Sequence, residues 1–252
     1  MIFALCCVCA FVAGLVDSVV GGGGLILIPG LLILMPQVAV ATVIGTNKLA
    51  ASLGTVVSTT QYARRVRLEW SVLIPAAMAS FVCAIAGARV ISLIPPIMIR
   101  PLVLALLVAV ALYTFFRKDL GSLHAPKLKG TRERVTAIGV GALLGFYDGF
   151  FGPGTGSFLI FIFVGVFGFE FLAASASAKL LNLASNLAAL FYFMGTGQVI
   201  YGVGFAMAIC NIFGALTGTH LALLKGSRFV RIFFLVVVSV IILKLAWDTF
   251  HG

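Results

Sequence analysis

A chain of 252 residues that is 62% apolar and 10% charged, with mean hydropathy +1.21, cannot present a soluble domain's surface, because about a quarter of such a domain's residues are charged. Its net charge of +10 is not a nucleic-acid footprint either. Twelve of the 17 basic residues fall in three short segments between apolar runs: Arg64, Arg65 and Arg67; six within 117–134; and Lys225, Arg228 and Arg231. Cytoplasmic loops look like this under the positive-inside rule.

The runs are apolar all round rather than alternating, unlike β-barrel strands. They read as an all-α polytopic membrane protein, each span needing roughly 20 residues to cross about 30 Å of hydrocarbon. In chain order the expected elements are a span at 1–20, a short segment at 25–35 closed by Pro36, and spans at 38–62, 70–92 and 97–116. A basic linker at 117–134 follows, then a span at 135–151, a short segment at 157–169, and spans at 171–194, 201–222 and 232–250. Met1 opens straight into an apolar run with no basic n-region, so a cleaved signal peptide is not expected. The five cysteines lie inside apolar runs without metal-ligand spacing and read as small buried hydrophobes. His220 reads as a packed polar residue, and Trp70 and Trp247 as interfacial aromatics.

Two stretches share one pattern. GLVDSVVGGGG followed by IGTNKL occupies 14–49, and GFYDGFFGPGTGS followed by SASAKL occupies 145–180. Asp17 and Asp148, Gly21 and Gly152, and Lys48 and Lys179 are each 131 apart. This register over most of the chain signals an internal duplication, with a first repeat at 1–116, the linker, and a second repeat at 135–252. The basic loops change place between the copies. Arg64, Arg65 and Arg67 follow the third segment of copy one, whereas Lys225, Arg228 and Arg231 follow the fourth of copy two. If basic loops are cytoplasmic, the repeats are inverted, with five segments each and both termini outside. The competing reading has four spans and a re-entrant segment per half, in parallel orientation.

Inverted repeats with Gly/Pro-interrupted segments are the plan of secondary transporters, with the site at the midplane. Gly22, Gly23, Gly154 and Thr155 would present backbone N–H groups at half-helix starts, where an anion is favoured. A lysine at mid-membrane costs about 3 kcal/mol and is functional by default, which singles out Lys48 and Lys179. Thr46, Asn47, Ser177 and Asn182 are their hydrogen-bonding neighbours. Asp17 and Asp148 are candidates to cap the backbone, pair with the lysines or carry a coupling proton. The bland alternatives are close helix packing for the glycines and structural ion pairs for the lysines. A nucleotide loop is not supported, since no βαβ pattern surrounds the glycines. No HExxH or GxSxG occurs, and no catalytic residue, metal or cofactor is expected.

The chain resembles the sulfite exporter TauE/SafE family of membrane transport proteins, and within it the YfcA branch. The resemblance is carried by AGLVDSVVGGGGLILIP at 13–29, GTNKLAASLGT at 45–55, GFYDGFFGPGTGSF at 145–158 and SAKLLNLASN at 177–186, and continues through LKGSRFVR at 224–231 and KLAWDTFHG at 244–252. It implies a multi-pass permease of the bacterial inner membrane, handling small anions such as sulfite, sulfoacetate and related organosulfonates. The residues and the resemblance together lead to a secondary transporter for a small anion, with proton coupling and homo-oligomerisation left open. The alternatives are an anion channel and a non-transporting scaffold with structural Lys–Asp pairs.

Overall fold

The computed structural model describes residues 2–94 and 128–251. The span expected at 97–116 and most of the linker lie outside them. Among the described residues every regular element is a helix: α1 (Ile2–Val20), α2 (Gly24–Leu34), α3 (Val40–Arg65), α4 (Trp70–Leu93), α5 (Gly130–Phe150), α6 (Thr155–Gly165), α7 (Phe171–Gly195) and α8 (Tyr201–His251). α5 begins inside the stretch read as linker. α8 turns at Gly226, whose φ of 69° and ψ of −168° are not helical.

Four helices among the described residues are long and apolar enough to cross a membrane: α1, α3, α4 and the Tyr201–Gly226 part of α8. The 11-residue α2 and α6 are only about 17 Å long at 1.5 Å per residue. Side chains are distributed as lipid demands rather than as water demands. Met78 and Val82 on α4, Leu143 on α5 and Phe213 on α8 are more than half exposed, while Lys48, Lys179, Asn47 and Asn182 are buried. A soluble protein sorts these residue types the other way. Trp70 is exposed at the start of α4. His220 is also exposed, which corrects its reading as a packed residue: it points away from the bundle instead of into it.

The two polar helices, α3 and α7, face each other and run antiparallel. Thr59 Oγ1 donates to the Lys179 carbonyl at 3.2 Å, Lys48 Nζ donates to Asn186 Oδ1 at 2.9 Å, and Gly45 lies against Phe193. The outer helices pack in parallel pairs through glycine. Gly141, Gly145 and Gly149 of α5 lie on the carbonyls of Ala76, Ser80 and Ala84 of α4. Gly14 of α1 lies on the Asn211 carbonyl of α8, and Gly214 and Gly218 of α8 lie on the carbonyls of Phe11 and Leu15. Lipid tails give apolar helices no reason to separate from lipid, so association relies on such close backbone approach.

One hydrophobic cluster gathers Tyr62, Val66 and Leu68 with Leu128, Phe163, Phe169, Ala222 and Val230. It brings together the end of α3, the starts of α4, α5 and α7, the end of α6 and the turn of α8. Arg64, Arg65, Arg67, Lys129, Lys225 and Arg228 therefore belong to one end of the bundle.

A side chain at Gly14 or Gly145 meets a backbone carbonyl that cannot move aside. Replacing either with Val should lower stability by about 1–3 kcal/mol. Gly139, with nothing within 4 Å of its would-be Cβ, should accept Ala and gain up to about 1 kcal/mol. Thermal unfolding in detergent checks this; equal tolerance at all three positions would refute the packing account.

Candidate functional site

The site begins where α1 stops in mid-bundle. A helix end leaves four carbonyls without an intrahelical partner, and at membrane depth water is not there to take them. Each is met by a different group. Gly21 N–H donates to the Asp17 carbonyl at 2.8 Å, and Tyr62 O–H to Ser18 at 2.9 Å. Ser175 Oγ donates to Val19 at 3.0 Å and Ser157 Oγ to Val20 at 2.9 Å. Three of these donors come from α3, α6 and α7, so the break in α1 is held by the rest of the bundle.

The chain leaves α1 through Gly21, with φ 73°, and leaves α5 through Gly152, with φ 96°. Both conformations are left-handed and suit glycine, and the two positions are 131 apart. Space makes the same demand. Gly21 and Gly156 lie backbone against backbone, and a Cβ on Gly152 would stand 3.0 Å from Lys48 Nζ. The two broken segments thus meet each other and the lysine. α2 starts at Gly24 and α6 at Thr155, behind Gly154 with φ 82°.

Two ion pairs cross the breaks. Lys48 of α3 donates to Asp148 Oδ2 of α5 at 2.7 Å, and Lys179 of α7 donates to Asp17 Oδ2 of α1 at 2.5 Å. Each lysine binds the aspartate of the opposite copy. Lys48 has a second acceptor in Asn186 Oδ1, and Asn186 Nδ2 reaches Asn182 Oδ1 at 3.3 Å. Asp17 also receives a long hydrogen bond, 3.4 Å, from Gly23 N–H.

A cavity of about 20 Å³ lies among these groups, room for about one water molecule. Lys48, Asp148, Asp17, Asn47 and Asn182 line it, with Asn186 and Ala51. So do Gly24 and Gly156, in the first turns of α2 and α6, and Gly21 and Gly152 beside them. Helix N-termini carry partial positive charge, so two half-helix starts, a lysine and three amides converge on one point. Asn47 Oδ1 is buried there without a hydrogen-bond partner among the described residues.

Of the residues singled out in the sequence, Lys48, Asn47, Asn182, Asp17 and Asp148 line this cavity, and Lys179 adjoins it through Asp17. The others lie elsewhere. Thr46 Oγ1 donates to the Thr42 carbonyl and accepts from Ile200 N–H, tying α3 to the start of α8. Ser177 lines a different cavity, about 800 Å³, at the basic end between Arg65, Lys129 and Glu133. Gly22 faces Ser157, Gly23 presses on α1 at Ala13 and Asp17, and Thr155 Oγ1 donates to the Gly152 carbonyl. Gly154 caps α6. Asn186 is not among the residues singled out in the sequence. Its position four residues after Asn182, on the same helix face, was the available signal.

Residues 6–245 match the family model described as sulfite exporter TauE/SafE. The chain is 35% identical over 248 residues to the "Probable membrane transporter protein ORF9" of Sinorhizobium sp, covering 97% of this chain and 92% of that one. It is 35% identical over 243 residues to the "Probable membrane transporter protein YfcA" of Escherichia coli strain K12, covering 96% and 88%. It is 34% identical over 246 residues to a "Probable membrane transporter protein" of Haemophilus influenzae, covering 94% and 92%. No solved structure matches the chain. The chain belongs to the sulfite exporter TauE/SafE family, a family of membrane transporters.

Removing one partner of a buried pair leaves an uncompensated charge. Asp148→Asn should therefore destabilise the protein by about 3–5 kcal/mol, and Lys48→Met combined with Asp148→Leu should recover much of that loss. Thermal unfolding of the three proteins decides; a single variant as stable as wild type would mean that the pair does not hold α3 to α5.

Proposed function

We propose that this family member is a secondary transporter for a small anion in a bacterial inner membrane, working by alternating access at a midplane site between two inverted repeats. The observation that carries the reading is the crossing of the two buried ion pairs at the broken helices, around a cavity that both half-helix starts face. Two lysine charges are held there at a cost that an apolar scaffold has no need to meet.

The inverted-repeat arrangement is supported by contacts that recur at the 131-residue offset. Gly14 lies on the Asn211 carbonyl and Gly145 on that of Ser80; Gly218 lies on the Leu15 carbonyl and Gly87 on that of Phe146. The equivalent helices α3 and α7 run antiparallel, as inversion requires. Lys225 and Arg228 share an end with Arg64, Arg65 and Arg67, which the positive-inside rule makes cytoplasmic. Sulfite is the anion named in the family description, and organosulfonates and small carboxylates have the same recognition chemistry: a compact oxyanion that accepts from an ammonium, amide N–H groups and helix N-termini. An exported anion is pushed outward by about 2.3 kcal/mol per charge per 100 mV of inside-negative potential.

The cavity holds about one water, so an anion fits only after a lysine and an aspartate separate. The two halves rocking apart would open it. That both lysines are fully paired also favours a second reading, a scaffold in which the pairs are purely structural.

A thermal-stability panel separates the two. Sulfite, sulfate, thiosulfate, sulfoacetate, taurine and acetate are tested at equal ionic strength on wild type and Lys179→Gln. A substrate at 100 times its dissociation constant should add roughly 2.7 kcal/mol, and the variant should lose that gain. No shift for any anion, with an unstable variant, supports the scaffold. The inversion is tested by single cysteines at Arg64 and Lys225. An impermeant thiol reagent should reach both from the same side of the membrane, and reaction from opposite sides refutes inversion.

A further inference from the structure

The two ion pairs stand at equivalent positions but are not equivalently enclosed. Asp148 is 3% exposed and Asp17 is 17% exposed, while both lysines are 1% exposed. The sequence differs beside them as well. Beside Asp148, Tyr147 stands edge-on to Phe151 and Phe158, with ring centroids 6.1 and 5.7 Å away, and its O–H donates to the Pro153 carbonyl at 2.8 Å. The residues 131 earlier are Val16, Val20, Leu27 and Gly22. None of these four is aromatic or carries a hydroxyl, so copy one lacks the Tyr147 arrangement beside its aspartate.

The lysines differ too. Lys48 holds two acceptors, Asp148 and Asn186, whereas Lys179 donates to Asp17. The position equivalent to Asn186 is Thr55, whose hydroxyl is used on the Ala51 carbonyl of its own helix. The position equivalent to Asn182 is Ala51, which has no polar group. A lysine with two acceptors and a fully enclosed aspartate is built to stay. One with a single charged partner, itself partly open, is built to exchange.

Resting on the transporter reading above, we propose that Lys48–Asp148–Asn186 is a fixed strut and that Lys179–Asp17 is the working pair: the incoming anion takes the Lys179 ammonium, and Asp17 leaves it by binding one proton. The charges require that proton. Before binding, two lysines balance two aspartates. A monoanion entering without a proton would set three negative charges against two positive ones in a buried site. With it, Lys179 pairs with the anion, Lys48 with Asp148, and Asp17 is neutral. The proton comes from water on the side the anion enters; one O–H bond forms and no bond in the protein breaks. The charged or titratable groups around Asp17 are Lys179 on α7, Lys48 and Tyr62 on α3, and Asp148 on α5. The cavity-lining residues from α2 and α6 are glycines.

The test is calorimetry of sulfite binding to the full-length protein in detergent at pH 5–6, where sulfite is almost entirely the hydrogensulfite monoanion, in two buffers of different ionisation enthalpy, which counts protons taken up. Wild type should take up about one proton per anion. Asp17→Asn should bind sulfite with no uptake, and its affinity should become independent of pH, where wild type gains up to about tenfold per pH unit of acidification. Should Asp17→Asn fail to fold, Asp17→Glu should keep the uptake. In wild type, infrared difference spectra on adding sulfite should gain a carboxylic-acid C=O band that shifts in the Glu variant. Uptake unchanged in Asp17→Asn, or a band that does not shift in Asp17→Glu, overturns the assignment while leaving an anion site intact. Wild type that binds no anion in the panel overturns the transporter reading along with it.

Discussion

Everything at the centre of this protein depends on two lysines held where lipid would otherwise be. A charge there survives only if it is paired and its remaining donors are used. The pairing runs between halves: α3 reaches α5, and α7 reaches α1. The ion pairs are therefore also joints between the N-terminal and C-terminal halves of the chain. Any movement of one half against the other strains or breaks them, and anything that replaces an aspartate beside a lysine changes the energy of that movement.

The broken helices make this geometry reachable. In a continuous α1 the residues after Asp17 would stay helical and give no backbone N–H to the site. By ending α1 at Val20 and restarting at Gly24, and ending α5 at Phe150 and restarting at Thr155, the chain brings two half-helix starts to the cavity that Lys48 lines. Breaking a helix in hydrocarbon is ordinarily prohibitive because carbonyls are orphaned. Here Ser157, Ser175 and Tyr62 accept that burden, and each comes from a neighbouring helix. These polar residues look unremarkable one by one. Their common task is to satisfy the carbonyls at the break.

Much of this was legible in the sequence. The helical membrane class followed from composition, the segment order from apolar runs and Gly/Pro punctuation, and the importance of Lys48, Lys179, Asp17 and Asp148 from their repetition at one offset. What was not legible is which side chains turn toward the cavity. Thr46 lies next to Asn47 and two before Lys48, but successive residues on a helix point about 100° apart, so it faces α8 instead. Ser177 is two residues before Lys179 and likewise faces another cavity. The choice among the glycines was equally hidden. Gly21, Gly24, Gly152 and Gly156 line the site, Gly23 reaches it only through its N–H to Asp17 and Gly22 faces Ser157, and a four-glycine run does not reveal where its turn falls.

On the duplicated, inverted arrangement proposed above, the two stretches differ in a useful way. A symmetric pair of sites would hold both lysines equally and give no preferred order of release. Substituting Tyr147, Phe151 and Pro153 for the smaller residues of copy one closes one break, and Asn186 in place of Thr55 ties one lysine down. None of these changes touches the four charges themselves. The fold keeps the pairs that inverted packing demands and adjusts only their cover and their second partners. On the proposed mechanism, that difference gives one pair the role of hinge and the other the role of contact with a ligand.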